Sequence, residues 1–271
     1  MAVDDFNRDG KPDLVMVNAD GGVSVLLSKG DGTFSAALNY STGSLPRGVA
    51  VSDFNRDGKP DLAVPNTGGV SVLLGTGDGA FQAASNHSTG SRSLFVAASD
   101  FNGDGQPDLA VVNIGSFVQS SFTYTNASVS ALLGKSDGTF QTAVNYSVGM
   151  SPEAVAVGDF NDDGKPDLAV ANAGRHDQFS DTNIGSSVSV LFGKGDGSFQ
   201  SAVNYSAEQA LRFVSVADFN KDGKPDLAVI TNSGVSLLLG QGDGTFQTAF
   251  NLGAGGLLSS VGLGDFNGDG R

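Results

Sequence analysis

Short runs of apolar and β-branched residues, rather than long amphipathic stretches, form the hydrophobic pattern of this chain. One representative unit has runs at residues 48–54, 62–64, 70–74 and 81–85. A polar loop follows the first run, and Gly-rich turns follow the second and third. Runs of this length between Gly, Asn and Asp clusters predict β-strands joined by tight turns. The unit is therefore predicted to form four antiparallel strands.

This unit recurs along the whole chain. The string Asp-Phe-Asn-x-Asp-Gly begins at Asp5, Asp53, Asp100, Asp159, Asp218 and Asp265. A second string, Gly/Ser-Asp-Gly-x-Phe, has its aspartate at Asp31, Asp78, Asp137, Asp196 and Asp243. Copies of the first string are 48, 47, 59, 59 and 47 residues apart, so two repeats carry an insertion. The insertions are residues 115–127 and 174–185.

Tandem units of four short strands are typical of β-propeller blades. The sequence therefore predicts an all-β propeller of four-stranded antiparallel blades, with five complete repeats of 47–59 residues and partial ends. We treat residues 1–271 as one domain or as part of a longer array. A parallel β-helix would need shorter coils, and a β-sandwich would not repeat so regularly.

Composition supports this interpretation and excludes several classes of function. The chain has 39 Gly, and Glu153 and Glu208 are the only glutamates among 29 acids, which argues against a helical protein. The net charge of −14 argues against nucleic acid and anionic membranes as main partners. The absence of Cys excludes thiol catalysis, and no apolar run is long enough to span a bilayer. Since the first residues lack a signal-peptide pattern, we expect any export signal to be cleaved or to lie elsewhere.

The first string opens a nine-residue loop with oxygen-bearing side chains at positions 1, 3, 5 and 9 and Gly at position 6. Calcium prefers six to eight oxygen ligands, and the position-7 carbonyl can supply another. We therefore predict about five structural Ca²⁺ sites. The predicted ligand positions are Asp5, Asn7, Asp9, Lys11 and Asp13; Asp53, Asn55, Asp57, Lys59 and Asp61; Asp100, Asn102, Asp104, Gln106 and Asp108; Asp159, Asn161, Asp163, Lys165 and Asp167; Asp218, Asn220, Asp222, Lys224 and Asp226; and the partial set Asp265, Asn267 and Asp269.

Charge arithmetic agrees with a cation in these loops. The predicted ligand positions hold 17 of the 29 acids, and carboxylates packed this closely repel one another without a cation. Since position 7 is Lys or Gln, only its carbonyl is expected to matter, and the position-2 phenylalanines are expected to anchor the loops to the core. The alternative is a set of Asx-rich turns that bind no metal.

The tandem strings DFNxDGxPDLAV and GxGDGxF resemble the FG-GAP/VCBS repeats of integrin-α-like propellers over nearly the whole chain. The resemblance implies an extracellular or cell-surface, calcium-binding propeller that acts in adhesion or ligand binding, and some relatives are lectins. It also implies calcium ligands at positions 1, 3, 5, 7 and 9. Propellers of this family typically have seven blades, whereas only five complete repeats are present here.

Other candidate sites carry weaker signals. His87 and His176 are the only histidines, so a catalytic constellation is not expected and the chain is predicted not to be an enzyme. Asn-x-Ser sequons at Asn39, Asn86, Asn126, Asn145 and Asn204 predict either N-glycosylation or a repeated polar strand position.

The two insertions hold a possible binding surface at Phe117, Phe122, Tyr124, Arg175 and Phe179. Antiparallel strand order places the nine-residue loops and Gly-Asp-Gly turns at one end of the blades and the insertions at the other. Three functions remain open: a non-enzymatic binding or adhesion propeller for a protein or glycan, a self-associating fibre module, and, least favoured, a hydrolase.

Overall fold

The computed structural model describes residues 1–119, 123–177, 182–207, 210–232, 234–253, 258 and 264. Every regular element within these ranges is a β-strand. None of the described segments forms a helix that is long and apolar enough to cross a membrane.

Twenty strands form five four-stranded antiparallel sheets, which we number as blades one to five. Blade one contains β1 Ala2–Asp4, β2 Asp13–Asn18, β3 Gly22–Leu26 and β4 Leu38–Ser41. Blade two contains β5 Ala50–Ser52, β6 Asp61–Asn66, β7 Gly69–Leu73 and β8 Ser85–His87. Blade three contains β9 Ser93–Ser99, β10 Asp108–Asn113, β13 Ser128–Leu132 and β14 Val144–Ser147.

The last two blades follow the same order. Blade four contains β15 Pro152–Gly158, β16 Asp167–Asn172, β19 Ser187–Leu191 and β20 Val203–Ser206. Blade five contains β21 Leu211–Ala217, β22 Asp226–Thr231, β23 Gly234–Gly240 and β24 Phe246–Gly253. The insertions form two-stranded hairpins, β11 Ser116–Val118 with β12 Thr123–Thr125 and β17 Arg175–Asp177 with β18 Thr182–Ile184. The predicted all-β architecture of four-stranded blades is confirmed.

The predicted strand boundaries of blade two differ from the observed ones, and the fourth strand differs most. The first strand is shorter than the predicted run at 48–54, and the second is longer than that at 62–64. The fourth strand of blade two is β8, Ser85–His87, and not the predicted run at 81–85. Phe81 instead forms an isolated bridge with Gly75 and then turns its ring into the space between blades. An apolar residue before a strand was therefore mistaken for its beginning.

The first strand of each blade lies innermost, since β5, β9, β15 and β21 contact one another in succession. The hydrophobic core is divided into four clusters, each between two consecutive blades. In the cluster between blades three and four, Val112 and Val129 pack against Val155 and Leu168. This packing stacks the blades face to face and leaves the fourth strands outermost.

A repeated aromatic triad closes each interface between blades. Phe101, at position 2 of its loop, meets the Phe199 ring edge to face at 5.3 Å, and Tyr146 meets the same ring at 5.6 Å. The Tyr146 hydroxyl also accepts a hydrogen bond from the Phe199 backbone N–H at 3.2 Å. The same arrangement recurs as Phe6–Phe81–Tyr40, Phe54–Phe140–His87 and Phe160–Phe246–Tyr205.

The position-2 phenylalanines of blades one to four are buried, as predicted. The prediction was wrong for Phe219 in blade five, which is 38% exposed. The physical reason is that each of the other four rings is covered by a turn phenylalanine of the next blade, and no such turn follows Phe219 among the described residues.

Strand order gives the fold two distinct ends. The nine-residue loops join strands one and two, and the Gly-Asp-Gly turns join strands three and four, so both lie at one end, the loop face. The β11–β12 and β17–β18 hairpins join strands two and three and lie at the other end with the inter-blade crossovers. We call this end the hairpin face. The predicted separation of loops and insertions is confirmed.

The crossovers contain left-handed backbone at the same position in three blades. Leu45, Arg92 and Ser151 each lie eight residues before a loop aspartate and have φ of 54°, 58° and 51°. Residues with a Cβ lose about 1–2 kcal/mol in this region relative to right-handed backbone, whereas Gly does not.

Replacing Ser151 with Gly is therefore expected to stabilise the protein. The gain should be about 0.5–1 kcal/mol, or roughly 1–4 °C in Tm for a chain of this size. Thermal melts followed by circular dichroism would measure it. Ser151→Ala keeps the strained backbone and should give no gain, and equal effects of the two variants would show that strain is not the cause.

Candidate functional site

The nine-residue loops are built around side-chain oxygens that accept backbone hydrogen bonds. In blade one, the Asp9 N–H donates to both Asp5 Oδ1 and Asn7 Oδ1 at 3.0 Å, and the Gly10 N–H donates to Asp5 Oδ2 at 2.7 Å. Asp9 Oδ1 accepts from the Lys11 N–H at 3.0 Å. The oxygens of positions 1 and 3 therefore converge on one N–H, and the same bonds recur in the other four loops.

Position 9 ties each loop to the neighbouring turn. Asp13 is fully buried, and its two carboxylate oxygens accept the Phe6 N–H at 3.0 Å and the Ser28 N–H at 2.7 Å. In the later blades the second donor is a Gly N–H, which belongs to Gly75, Gly134, Gly193 or Gly240. The aspartate thus joins the start of its loop to the end of strand three, a role that the sequence prediction missed.

Burial of this carboxylate is electrostatically unfavourable. Burial raises the pKa of Asp61, Asp108 and Asp167 to about 6, although two backbone N–H donors act in the opposite direction. The carboxylates at positions 5 and 1 of the same loop raise the pKa further, as Asp57 and Asp53 do for Asp61. Positions 1, 5 and 9 are therefore close enough to repel one another.

Position 7 contributes more than its carbonyl. The Lys11 ammonium pairs with Asp9 at 3.1 Å, and Lys59 and Lys165 pair with their own position-5 aspartates at 3.0 Å. The Lys11 stem also lies over Gly30, where an added Cβ would come within 2.8 Å of Lys11 Cδ. The prediction that only the carbonyl matters was wrong, since the lysine both offsets loop charge and covers the glycine turn.

Sequence reasoning also missed the left-handed backbone at position 4 of the loops. Arg8, Arg56, Asp162 and Lys221 have φ between 57° and 61°, and blade three has Gly103 at the same position. The presence of glycine in one of five repeats was the available signal, because a left-handed residue tolerates Gly best.

The donor chemistry of each loop suits a hard cation: three carboxylates, one amide oxygen and one backbone carbonyl. The described residues nevertheless contain no group of three or more Asp, Glu, His or Cys side chains that could hold a metal ion. The oxygens of positions 1, 3 and 5 accept loop N–H groups, while each retains lone-pair capacity for a cation. Asp265, Asn267 and Asp269 lie outside the described residues.

A row of three hydrogen-bonded side chains, Asn, Ser and Asn, crosses each of blades one to four near the hairpin face, and we call this row the polar rung. In blade two, Asn66 Nδ2 donates to Ser71 Oγ at 2.9 Å, and Ser71 Oγ donates to Asn86 Oδ1 at 2.6 Å. The sequon residues lie on the exposed fourth strands, and each accepts a hydrogen bond from a serine of the third strand: Asn39, Asn86, Asn145 and Asn204. This bond explains why the asparagine repeats, and glycosylation remains a prediction. The fifth sequon residue, Asn126, occupies a left-handed turn of the blade-three hairpin.

The rung of blade one borders an open cleft of about 690 Å³, which Asn18, Asn39 and Tyr40 help to line. In blade two the preceding crossover covers the corresponding rung, because Thr42 O accepts from Asn66 Nδ2 at 2.6 Å and lies 2.7 Å from Ser71 Oγ, as an alternative acceptor for that hydroxyl. The cleft thus lies at the place where a crossover segment packs on the rung in blade two. It is therefore not evidence for a small-molecule site.

The hairpin face exposes apolar side chains. Phe117 is 45% exposed, and its ring lies 5.2 Å from that of Tyr124, over which the Arg92 guanidinium stacks at 5.5 Å. Arg175 is exposed on the second hairpin, as predicted for this surface. The sequence prediction missed three further exposed apolar residues of this face, which are Leu45, Met150 and Ile184. Phe122 and Phe179 lie outside the described residues.

Charged residues from three blades meet near the axis on the same face. Glu153 and Arg212 are the extra residues at register shifts in β15 and β21, and such bulges re-aim a side chain. Burial raises the pKa of Glu153, while Arg47 and Arg212 both act to lower it, so both guanidiniums lie within electrostatic reach. We call Arg47, Glu153 and Arg212 the axial cluster.

Comparison with known proteins places the repeats in a family. A model described as FG-GAP-like repeat matches residues 5–64, 53–111, 117–170 and 218–271, and one described as FG-GAP repeat matches residues 151–191. No curated protein matches the chain.

Two solved structures have a similar fold. A lectin of Agrocybe aegerita that recognises non-reducing terminal N-acetylglucosamine is 20% identical, with a TM-score of 0.60 over 94% of this chain and 66% of its own. BBS1N in complex with ARL6DN is 14% identical, with a TM-score of 0.59 over 94% of this chain and 68% of its own. This chain thus spans about two thirds of each of the two. Because the family models also cover most of the sequence, the chain belongs to the FG-GAP repeat family.

Proposed function

We propose that this chain is a non-catalytic binding module that acts outside the cell, with its ligand on the hairpin face and with structural calcium in its nine-residue loops. The observation that carries the proposal is the exposure of Leu45, Phe117, Met150 and Ile184 on one end of the fold. Large apolar side chains that share one surface with arginine are typical of interaction sites.

The two ends of the fold differ in how regular their contacts are, and this difference supports the proposal. The loop face is occupied by backbone hydrogen bonds and buried aspartates that repeat in every blade, and by ion pairs in blades one, two and four. The hairpins are the least repetitive part of the chain, and they project from a stable scaffold. Variable loops on a rigid scaffold are where binding residues concentrate.

A glycan is the second candidate ligand. The observation in its favour is the shared fold with the Agrocybe aegerita lectin that recognises N-acetylglucosamine. At 20% identity this likeness concerns the fold alone, and the chain has no Trp to provide a large stacking platform for a sugar.

The test compares calcium-loaded wild type with hairpin variants on a glycan array and on an array of extracellular proteins. Phe117→Ser and Ile184→Ser should each abolish or strongly weaken the signals of wild type. Val144→Ser is the matched control, because Val144 is 54% exposed on an outer strand away from the hairpin face.

A third hairpin variant replaces the blade-three hairpin with the short turn of blade two. Blade two itself shows that a blade folds without the insertion. It should keep the melting curve and lose binding. Binding that survives all three hairpin variants, or that is lost equally in Val144→Ser, would contradict the assignment of the hairpin face.

A further inference from the structure

The two ends of the fold differ in their cations, because lysine is confined to the loop face, where it lies with Arg8 and Arg56. All eight lysines lie in or beside the nine-residue loops and the Gly-Asp-Gly turns: Lys11, Lys29, Lys59, Lys135, Lys165, Lys194, Lys221 and Lys224. The cations of the hairpin face are all arginines, and each is exposed: Arg47, Arg92, Arg175 and Arg212. Arginine presents a planar fork of donors that matches carboxylates bidentately, whereas lysine is a point charge.

Two of these arginines lie within electrostatic reach of one acid. Arg47 precedes β5 in blade two, Arg212 lies in β21 of blade five, and both act on Glu153 from blade four. Arg212 Nε also donates to Asn232 Oδ1 at 3.2 Å. Beside the cluster, the Phe95 and Phe213 rings meet edge to face at 5.8 Å. Two guanidiniums within electrostatic reach of one carboxylate give the axial cluster a net positive charge. The other described acids at this end of the strands, Asp20 and Asp177, lie on the β2–β3 turn and the β17–β18 hairpin.

The net charge of −14 does not prevent an anion from binding there. The acidic loops lie at the opposite ends of strands of about six residues, which is about 20 Å away. The Debye length is roughly 8 Å at physiological ionic strength, so the loop carboxylates are strongly screened at the hairpin face. The charges of the hairpin face itself therefore decide which ligand is attracted, and near the axis the two arginines outnumber Glu153.

The neighbouring side chains favour an acidic protein segment over other anionic ligands, such as a sulfated glycan. Leu45, Phe117, Met150 and Ile184 are exposed on the same face as the arginines. Interface cores are enriched in aromatic residues, Met and Arg and depleted in Lys, which is the composition found here. A sulfated glycan offers charge but few large apolar groups to cover these residues.

We propose that the hairpin face binds an acidic segment of a protein partner, with its carboxylates on Arg47 and Arg212 and its apolar residues on the hairpins. This inference rests on the proposed function and names the partner class for the same surface.

The experiment measures fluorescence anisotropy of labelled hexaglutamate and hexaglutamine with the calcium-loaded protein at low ionic strength. Hexaglutamate should bind at least about tenfold more tightly, and added salt should remove the preference. The double variant Arg47→Gln/Arg212→Gln should remove most of it, whereas the loop-face control Arg8→Gln/Arg56→Gln should keep it.

Equal affinities for the two peptides, or equal losses in both double variants, would overturn the inference. A heparin oligosaccharide that binds more tightly than hexaglutamate through Arg47 and Arg212 would overturn the protein class in favour of a sulfated glycan. If hexaglutamate fails while Phe117→Ser still weakens binding on the arrays, the hairpin-face function stands and only the acidic partner is wrong.

Discussion

Removing calcium should lower the melting temperature of this chain by a large amount. A site filled at 100 times its Kd stabilises the folded state by about 2.7 kcal/mol, so even two filled loops would contribute about 5 kcal/mol. For a domain of this size that corresponds to roughly 10–20 °C in Tm. The repulsion between the Asp53, Asp57 and Asp61 carboxylates provides the physical reason, because a cation would neutralise it.

Melting curves in excess EGTA and in saturating calcium would measure this effect, with magnesium as the matched control. Magnesium demands near-ideal octahedral geometry and keeps its waters, so it should restore little of the loss. Metal analysis of the dialysed protein should find about five Ca²⁺ per chain, one for each complete loop. Identical melting curves in EGTA and calcium would contradict structural calcium and favour Asx-rich turns without metal.

Much of the fold could be predicted because the repeat constrains it many times over. Two short strings that recur every 47–59 residues defined the blades, and strand order then placed the hairpins opposite the loops. One blade alone would have been misread, as the fourth strand of blade two shows. Phe81 looks like the start of a strand, yet its ring is used to close the interface between blades.

Several of the contacts that escaped prediction join residues far apart in sequence. The pairing of Phe101 with Phe199 depends on how one blade stacks on the next. Likewise, the axial cluster joins Arg47, Glu153 and Arg212 from three blades, and two of these residues are presented by bulges. Neither a bulge nor the side of a strand that faces the axis is specified by short local patterns.

The loops illustrate a different limit. The oxygen-bearing side chains were correctly located on the loop face, and the sequence suggested one role for them, the binding of calcium. The structure gives the same side chains a second role, since they cap backbone N–H groups whether or not a metal is considered. A motif therefore does not reveal how much of its conservation across repeats within this chain comes from folding and how much from a ligand.

Replacing Asp167 with Ala should separate these two roles, because it should destabilise the protein even in EGTA. Asp167 is fully buried and accepts hydrogen bonds from the Phe160 N–H at 3.0 Å and the Gly193 N–H at 2.7 Å. Each orphaned buried donor costs about 1–3 kcal/mol, so the variant should lose about 2–6 kcal/mol of unfolding free energy. Because burial also raises the pKa of this carboxylate to about 6, removing its charge offsets part of the loss and favours the lower half of that range.

The matched control is Asp163→Ala in the same loop. Asp163 is exposed, and its side chain accepts from the Lys165 N–H and ammonium at 3.0 Å, with the Asn161 side chain as a further, weaker partner. This variant should lose one Ca²⁺ per chain, as Asp167→Ala should, but in EGTA its stability should match that of wild type to within about 1 kcal/mol, which is typical of an exposed ion pair. Urea unfolding in EGTA and in calcium, with metal analysis of each variant, gives all four comparisons. If Asp167→Ala and wild type unfold at the same urea concentration in EGTA, position 9 acts only through the metal and does not join the loop to strand three on its own.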